Sequence, residues 1–365
     1  MKQLFLLLLL LLSCSCITRE KQVEKHREGD INTDSISSTD SISLLFVGDI
    51  MQHQAQIDAA RVGQSYNYLE CFRYVKEEIS EADIAIGNLE VTLGGKPYRG
   101  YPSFSSPDEL VFAIQDAGFD VLLTANNHSL DRATKGINRT ISILDSLNIP
   151  HAGTYTDSIA RKKQYPLLLE KNNFRISLLA YTYGTNGLVP KQPCIVNYID
   201  KKVILQDLEI ARTQNPDVII ACMHWGDEYN SQPNKTQKEL AKWLIEQGVN
   251  HVIGAHPHVI QPYELRTDTL SGEQNMVVYS LGNFISNMSL LGRDGGMMFR
   301  LDLVKDNTVR IANYAHTLVW TARPNQQNRK IHTLIPEYHP QDSLSTNEQE
   351  KMKIFIENSR KIVVK

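Results

Sequence analysis

The chain has 365 residues, 42% of them hydrophobic and 22% charged, with a formal net charge of −3. That is ordinary globular usage, with length for one large domain or two modest ones and a substantial core. The near-neutral balance supplies no basic field, so no nucleic-acid partner is expected.

After Met1-Lys2-Gln3 an unbroken apolar run extends from Leu4 to Leu12 and leads into Ser13-Cys14-Ser15-Cys16. The run is too short for a mature bilayer-spanning helix and fits the core of a signal peptide. Leu11-Leu12-Ser13-Cys14 resembles a bacterial lipoprotein signal box, in which Cys14 becomes the lipid-bearing first residue of the mature chain. Plain secretion with cleavage nearby is the alternative. Either way the sequence predicts an exported protein of the cell envelope, lipid-anchored to a membrane in the first reading. Residues 1–16 hold the lipoprotein-type signal segment together with the lipidation residue Cys14. Residues 17–42, polar and rich in Ser, Thr and Asp, form a disordered tether that cannot bury enough apolar surface to order itself.

From Leu44 the character changes to short apolar runs, each closed by Gly, Asn, Asp or His. In order these are Leu44–Val47 before Gly48-Asp49, Ile84–Ile86 before Gly87-Asn88-Leu89-Glu90, and Val121–Thr124 before Asn126-Asn127-His128. Val218–Met223 then precedes His224-Trp225-Gly226, Val252-Ile253 precedes His256-Pro257-His258, and Val277–Tyr279 precedes Leu281-Gly282-Asn283. Between them, Ile137, Ile141, Leu144 and Leu147 repeat with helical spacing, and Leu240, Trp243 and Leu244 do so less strictly. Pro107-Asp108-Glu109 reads as a helix start. Alternating strands and helices predict an α/β core. Met297–Val304 and Thr308–Asn313 predict two strands with no helix between, which makes the sheet arrangement mixed. Thr346–Val364 predicts a terminal helix. Cys71, Cys194 and Cys222 are odd in number and lack a C-x-x-C spacing, which argues against a disulfide framework or a zinc–thiolate site.

Open α/β sheets bind ligands at the carboxyl ends of their strands. Here those ends carry Asp49, Asn88, Glu90, Asn127, His128, His224, His256 and His258. This mixture of acid, amide and imidazole suits zinc, manganese or iron rather than calcium. In extended backbone His256 and His258 would point to the same side and converge. His128 is the candidate proton donor, with Asp131 either orienting its ring or capping the following helix. Glu228 would orient a ligand or act as a base. Trp225 is read as a cleft wall, with core packing as the alternative; Asn283 and Arg293 are further substrate-contact candidates. No phosphate-binding P-loop, nucleophile elbow or H-E-x-x-H helix is present.

Gly48-Asp49-Ile50-Met51, Asn88-Leu89-Glu90, Asn126–Asp131, His224–Tyr229, Gly254–His258 and Ser280–Phe284 together resemble the CapA family, named for poly-γ-glutamate capsule synthesis and export. The match runs from about Ser43 to Ala315, with the motifs in the family's order. The family is similar to the calcineurin-type metallophosphoesterases, which implies a four-layer αββα sandwich with mixed sheets over residues 43–318, extended by 319–365. The resemblance makes Asp49, Asn127, His224, His256 and His258 ligands of one or two divalent ions and His128 the catalytic imidazole. Met51 stands where those enzymes carry a ligand histidine, and Asn88 where they carry the bridging aspartate. Glu90 and His53 are the nearest stand-ins. Two functions follow as expectations. One is a metal-dependent hydrolase or transferase acting on a capsular polymer or its precursor. The other is a non-catalytic subunit that binds polymer or membrane-bound capsule synthesis and export proteins.

Overall fold

The structure, a computed structural model, describes residues 40–325 and 329–363. Cys14, the signal peptide and nearly all of the expected tether lie outside the described residues. The first strand, Asp40–Ile50, starts inside the stretch assigned to the tether.

Two mixed sheets form the centre. The first orders its strands as 333–336, 309–322, 295–305, 40–50, 84–89, 121–123 and 151–152, with Asn283–Ile285 pairing beside the end of Asp40–Ile50. The strands from 40–50 to 151–152 run parallel to one another, while the 295–305/309–322 hairpin joins antiparallel. The second sheet orders 260–267, 274–281, 251–255, 218–224, 174–182 and 167–171, parallel in its middle and antiparallel at both edges. Each apolar run read from the sequence is a strand.

Strand alternation explains the layering. Ile42, Leu44 and Phe46 point one way and join a buried cluster with Leu178, Ala180 and Ile220 of the second sheet. Leu45 and Val47 point the other way and pack with Leu110, Val111 and Ile114 of the helix Glu109–Asp116. Beyond the second sheet, Ile204 and Leu208 of the helix Lys201–Thr213 and Leu240 and Leu244 of the helix Lys235–Glu246 join the first cluster. Helix, sheet, sheet and helix make the four-layer αββα sandwich. Helix Thr346–Val363 lies against strands 260–267 and 309–322, one from each sheet.

Helix starts follow local chemistry. Asn234 and Gln237 form a reciprocal capping box. Asp108 does not cap the helix that follows it, because both its oxygens are taken by Arg139 at 2.6 Å. Strand Phe174–Thr182, almost wholly buried, escaped the sequence reading. It ends in Tyr183-Gly184 rather than in a polar donor, so it lacks the signature by which the other strands were found. Cys71, Cys194 and Cys222 are free and buried.

Candidate metal centre

The carboxyl ends of the parallel strands of both sheets meet at one edge. Asp49 closes the strand Asp40–Ile50, Glu90 follows Ile84–Leu89, and His224 ends Val218–His224. Contacts between the sheets join them. The Asn88 side-chain amide donates to Asp49 Oδ1 at 2.7 Å and lies 3.3 Å from His224 Nδ1, and His258 Nδ1 lies 3.3 Å from Asp49 Oδ2. Gly48 permits this approach: a Cβ there would fall 1.9 Å from the Gly282 carbonyl oxygen, which accepts the Asp49 N–H.

His256 and His258 converge, with ring centroids 5.9 Å apart, but not by the expected extended backbone. Their φ angles are +101° and +57°, a region that side chains rarely adopt. The strained turn is held by the Tyr229 N–H on the Pro257 carbonyl at 2.7 Å and by the His256 N–H, 3.4 Å from Asp49 Oδ2. Strain of this kind costs roughly 1–3 kcal/mol per residue and persists where surrounding contacts over-determine it.

Three donor triplets overlap here: Glu90, His224 and His256; Asp49, Glu90 and His258; Glu228, His256 and His258, with the donor atoms of each triplet within 4.8 Å of one another. Glu90 decides the chemistry. It is 0% exposed, and neither carboxylate oxygen has a hydrogen-bond partner. His256 Nδ1 is likewise buried without one. Glu90 Oε1 lies 3.6 Å from His224 Nε2 and 3.9 Å from His258 Nε2. Burial, and after it the neighbouring Asp49 carboxylate, push Glu90 well above the usual carboxylate range. Burial also raises Asp49, but hydrogen bonding and charge from His258, with His224 and the Asn88 amide, outweigh it and hold that carboxyl at about 2. Burial lowers His256 to about 4 and His224 well below its ordinary value, so both rings are neutral at pH 7, the form that ligates a metal. Orphaned carboxylate oxygens beside the neutral rings of His224 and His256 fit a divalent cation.

Asn127 belongs to this group: its carbonyl oxygen lies 2.7 Å from His224 Nε2, and its NH2 reaches Asn186 Oδ1. Met51 and Asn88, the two positions expected to lack a ligand, behave differently. Met51 is buried in the apolar cluster on the helix side of the first sheet. Asn88 donates to Asp49 and cannot provide a negative charge; Glu90, a member of two donor triplets, would provide one to a bound cation. His53 does not join the donor triplets among the described residues. Its Nδ1 receives the Asn287 N–H at 3.3 Å and lies 3.2 Å from Gln56 Oε1.

His128 sits beside the donors. Its Nδ1 lies 2.8 Å from Asp131 Oδ2, and the same oxygen accepts the Phe104 N–H at 2.7 Å. Phe104 packs edge-on against the ring at 4.6 Å. Asp131 is therefore the orienting acid and not a helix cap. The cap position of Ala133–Ser146 is Arg132, with no side-chain bond.

Two substrate-contact expectations fail. Trp225 is 2% exposed and its indole N–H donates to the Tyr279 carbonyl at 3.0 Å, so it is core. It fits because Gly254 has no Cβ: one there would lie 2.6 Å from the indole nitrogen. Asn283 is fully buried between His258 Nδ1, at 3.0 Å, and the Arg293 carbonyl, at 2.8 Å. It holds the His258 ring in place. Arg293 does reach the rim, its guanidinium 3.4 Å above the Tyr229 ring. Glu228 is exposed at the mouth, on a loop tied down by the Gln237–Gln261–Asn230 hydrogen bonds. Tyr183, packed at 4.5 Å on the His256 ring and 48% exposed, is the rim residue the sequence did not disclose.

The family model of the bacterial capsule synthesis protein PGA_cap matches residues 43–288. The chain belongs to that family. It is 27% identical over 274 residues to the capsule biosynthesis protein CapA of Bacillus anthracis, covering 72% of this chain and 61% of that protein. It is 28% identical over 286 residues to the PGA biosynthesis protein CapA of Bacillus subtilis, covering 75% and 70%. The chain thus spans less than two thirds of the first relative's length. Among solved structures, NAD nucleotidase of Haemophilus influenzae aligns with a TM-score of 0.49 and 10% identity, over 88% of this chain and 63% of that one. The 5'-nucleotidase of Candida albicans aligns at 0.41 and 11%, over 88% and 58%.

Proposed function

We propose that this PGA_cap chain acts at the cell envelope in the synthesis or export of an anionic capsular polymer such as poly-γ-glutamate, as a metal-dependent hydrolase or transferase. The observation that carries the reading is Glu90: a fully buried carboxylate without a proton donor, beside the neutral rings of His224 and His256, is costly unless a cation completes it. Asp49, Glu90, Asn127, His224, His256 and His258 would hold the ion, zinc, manganese or iron, with Glu228 at its open side. Such an ion polarises a phosphoryl or carbonyl oxygen and makes water nucleophilic near neutral pH.

The chain's own residues do the rest. His128, its Nδ1 facing Asp131, holds a proton at Nε2 for the departing group. Arg293 over Tyr229 meets an anionic group at the rim. Tyr183 packs on the His256 ring at the rim. The names of the two CapA relatives support the capsular polymer or its precursor as substrate, and the signal-box sequence around Cys14 supports a lipid anchor beside membrane-bound synthesis or export proteins.

Elemental analysis of the purified protein, with and without Asp49→Ala, tests the reading together with turnover of γ-glutamyl amides and phosphoesters. Stoichiometric metal lost in the variant, with turnover lost alongside, is expected. Metal-replete protein that turns over neither class would overturn it. Met51 and Asn88 favour a second reading, a non-catalytic binding subunit, and chelator-insensitive capture of polymer or partner proteins would support that instead.

A further inference from the structure

A cleft of about 630 Å³ opens on the far side of the loop that carries Phe104. Arg61, Lys96, Gln54, Tyr66 and Tyr98 line it, and no carboxylate does. Neither Arg61 nor Lys96 has an ion-pair partner among the described residues; Arg61 lies 5.6 Å over the Tyr66 ring. Tyr66 and Tyr98 pack edge to face at 5.3 Å, which makes a rigid wall. Acids beside the lining residues are each bonded: Asp58 accepts the Gln54 amide, both Asp108 oxygens are held by Arg139, and Glu109 accepts the Ser65 hydroxyl.

The cleft is joined to the metal centre by one loop. Lys96 and Tyr98 stand at its start, and Phe104, which packs on the His128 ring, stands near its end. Gln54 lines the cleft and accepts the Gly100 N–H, while the adjacent His53 ring contacts Phe104 at 5.4 Å.

We propose that this cleft is a second binding site, which holds carboxylate groups of a polymer strand whose reacting segment occupies the metal centre. This rests on the anionic-polymer reading above. Two unpaired cations attract anionic groups of any kind, but the tyrosine wall also offers apolar surface. A strand of carboxylates joined by methylenes can cover that wall and a polyphosphate cannot. Cations placed along the strand's path raise affinity for long chains and leave short ones unaffected.

The test uses the full chain carrying Arg61→Gln with Lys96→Gln. A control, Lys163→Gln with Lys202→Gln, makes the same change of net charge at exposed helical positions. Binding of γ-glutamyl-glutamate, long poly-γ-glutamate and polyphosphate is measured by fluorescence anisotropy, with metal content recorded. The expected result is a loss of about five- to tenfold in long-polymer affinity, with dimer affinity and metal content unchanged and the control equal to the parent. Long-polymer binding within twofold of the control, an equal loss in the control, or an equal loss for the dimer overturns the cleft alone. So does an equal or greater loss for polyphosphate. Absence of polymer binding to the parent protein overturns the polymer reading and the cleft with it. Metal content and the Asp49→Ala variant report on the metal centre independently of both.

Discussion

Replacing Glu90 by Gln separates a cation site from an ordinary buried acid, because the two readings give opposite signs. Glu90 is 0% exposed and both its oxygens lack donors, so without a cation the folded protein must keep the group protonated. Its pKa is raised by burial first and by Asp49 second, from an ordinary value of 4.5. A carboxyl with a raised folded-state pKa contributes stability below its unfolded value and loses it as pH rises. Each unit between 4.5 and pH 7 costs the fold about 1.4 kcal/mol, which sets an upper limit of about 3.5 kcal/mol. Glu90→Gln removes that cost. With an unfolding entropy of about 2 cal/mol/K per residue, the gain corresponds to roughly 5 °C in melting temperature for a domain of this size. Calorimetry of the chelated protein should show the variant melting higher at pH 7 and level with the parent near pH 4.5. Titration with manganese or zinc should show that it has lost its binding. A chelated variant that melts lower than the parent at pH 7, or one that binds metal as the parent does, would refute the argument.

Three further outcomes are expected. Asp131→Asn removes the carboxylate 2.8 Å from His128 Nδ1. It should lower kcat by on the order of a hundredfold while metal content holds, which steady-state kinetics and elemental analysis would check. Gly254→Ala places a Cβ 2.1 Å from the Tyr279 carbonyl oxygen and should destabilise the protein by about 1–3 kcal/mol, read as a lower urea midpoint. His251, remote from the site, accepts the Met276 N–H and is held at about 4 by burial. Its folded pKa lies below the ordinary 6.5, so its neutral form stabilises the fold fully above that value and the contribution fades as pH falls toward 4. The span corresponds to roughly 3 kcal/mol, and His251→Gln should flatten that part of the stability–pH curve in urea titrations.

The architecture was legible because this chain advertises its strands. Short apolar runs ending in Gly48-Asp49, Asn88-Leu89-Glu90 or Gly254-Ala255-His256 carry both the burial signal and the functional residue within a few positions. Strand Phe174–Thr182 carries the first signal without the second, and with it Tyr183 went unseen. Trp225 and Asn283 were misread for a related reason: neighbouring a site in sequence says nothing of which way a side chain points. Trp225 turns into the room left by Gly254, and Asn283 turns toward His258.

By itself the sequence determined the α/β alternation and the set of acid, amide and imidazole side chains at the strand ends, since these depend on residue type and local order. Only the tertiary structure decided that the Asp131 carboxylate faces His128 Nδ1 and that Glu90 is buried without a hydrogen-bond partner beside the histidines. It also decided that His256 and His258 converge through a left-handed turn. The last two depend on groups far apart in the chain, such as Asp49 beside His258 and Tyr229 on Pro257, held at hydrogen-bond distance where two sheets share one edge. The His128–Asp131 pair is local, but its carboxylate is fixed by the distant Phe104 N–H.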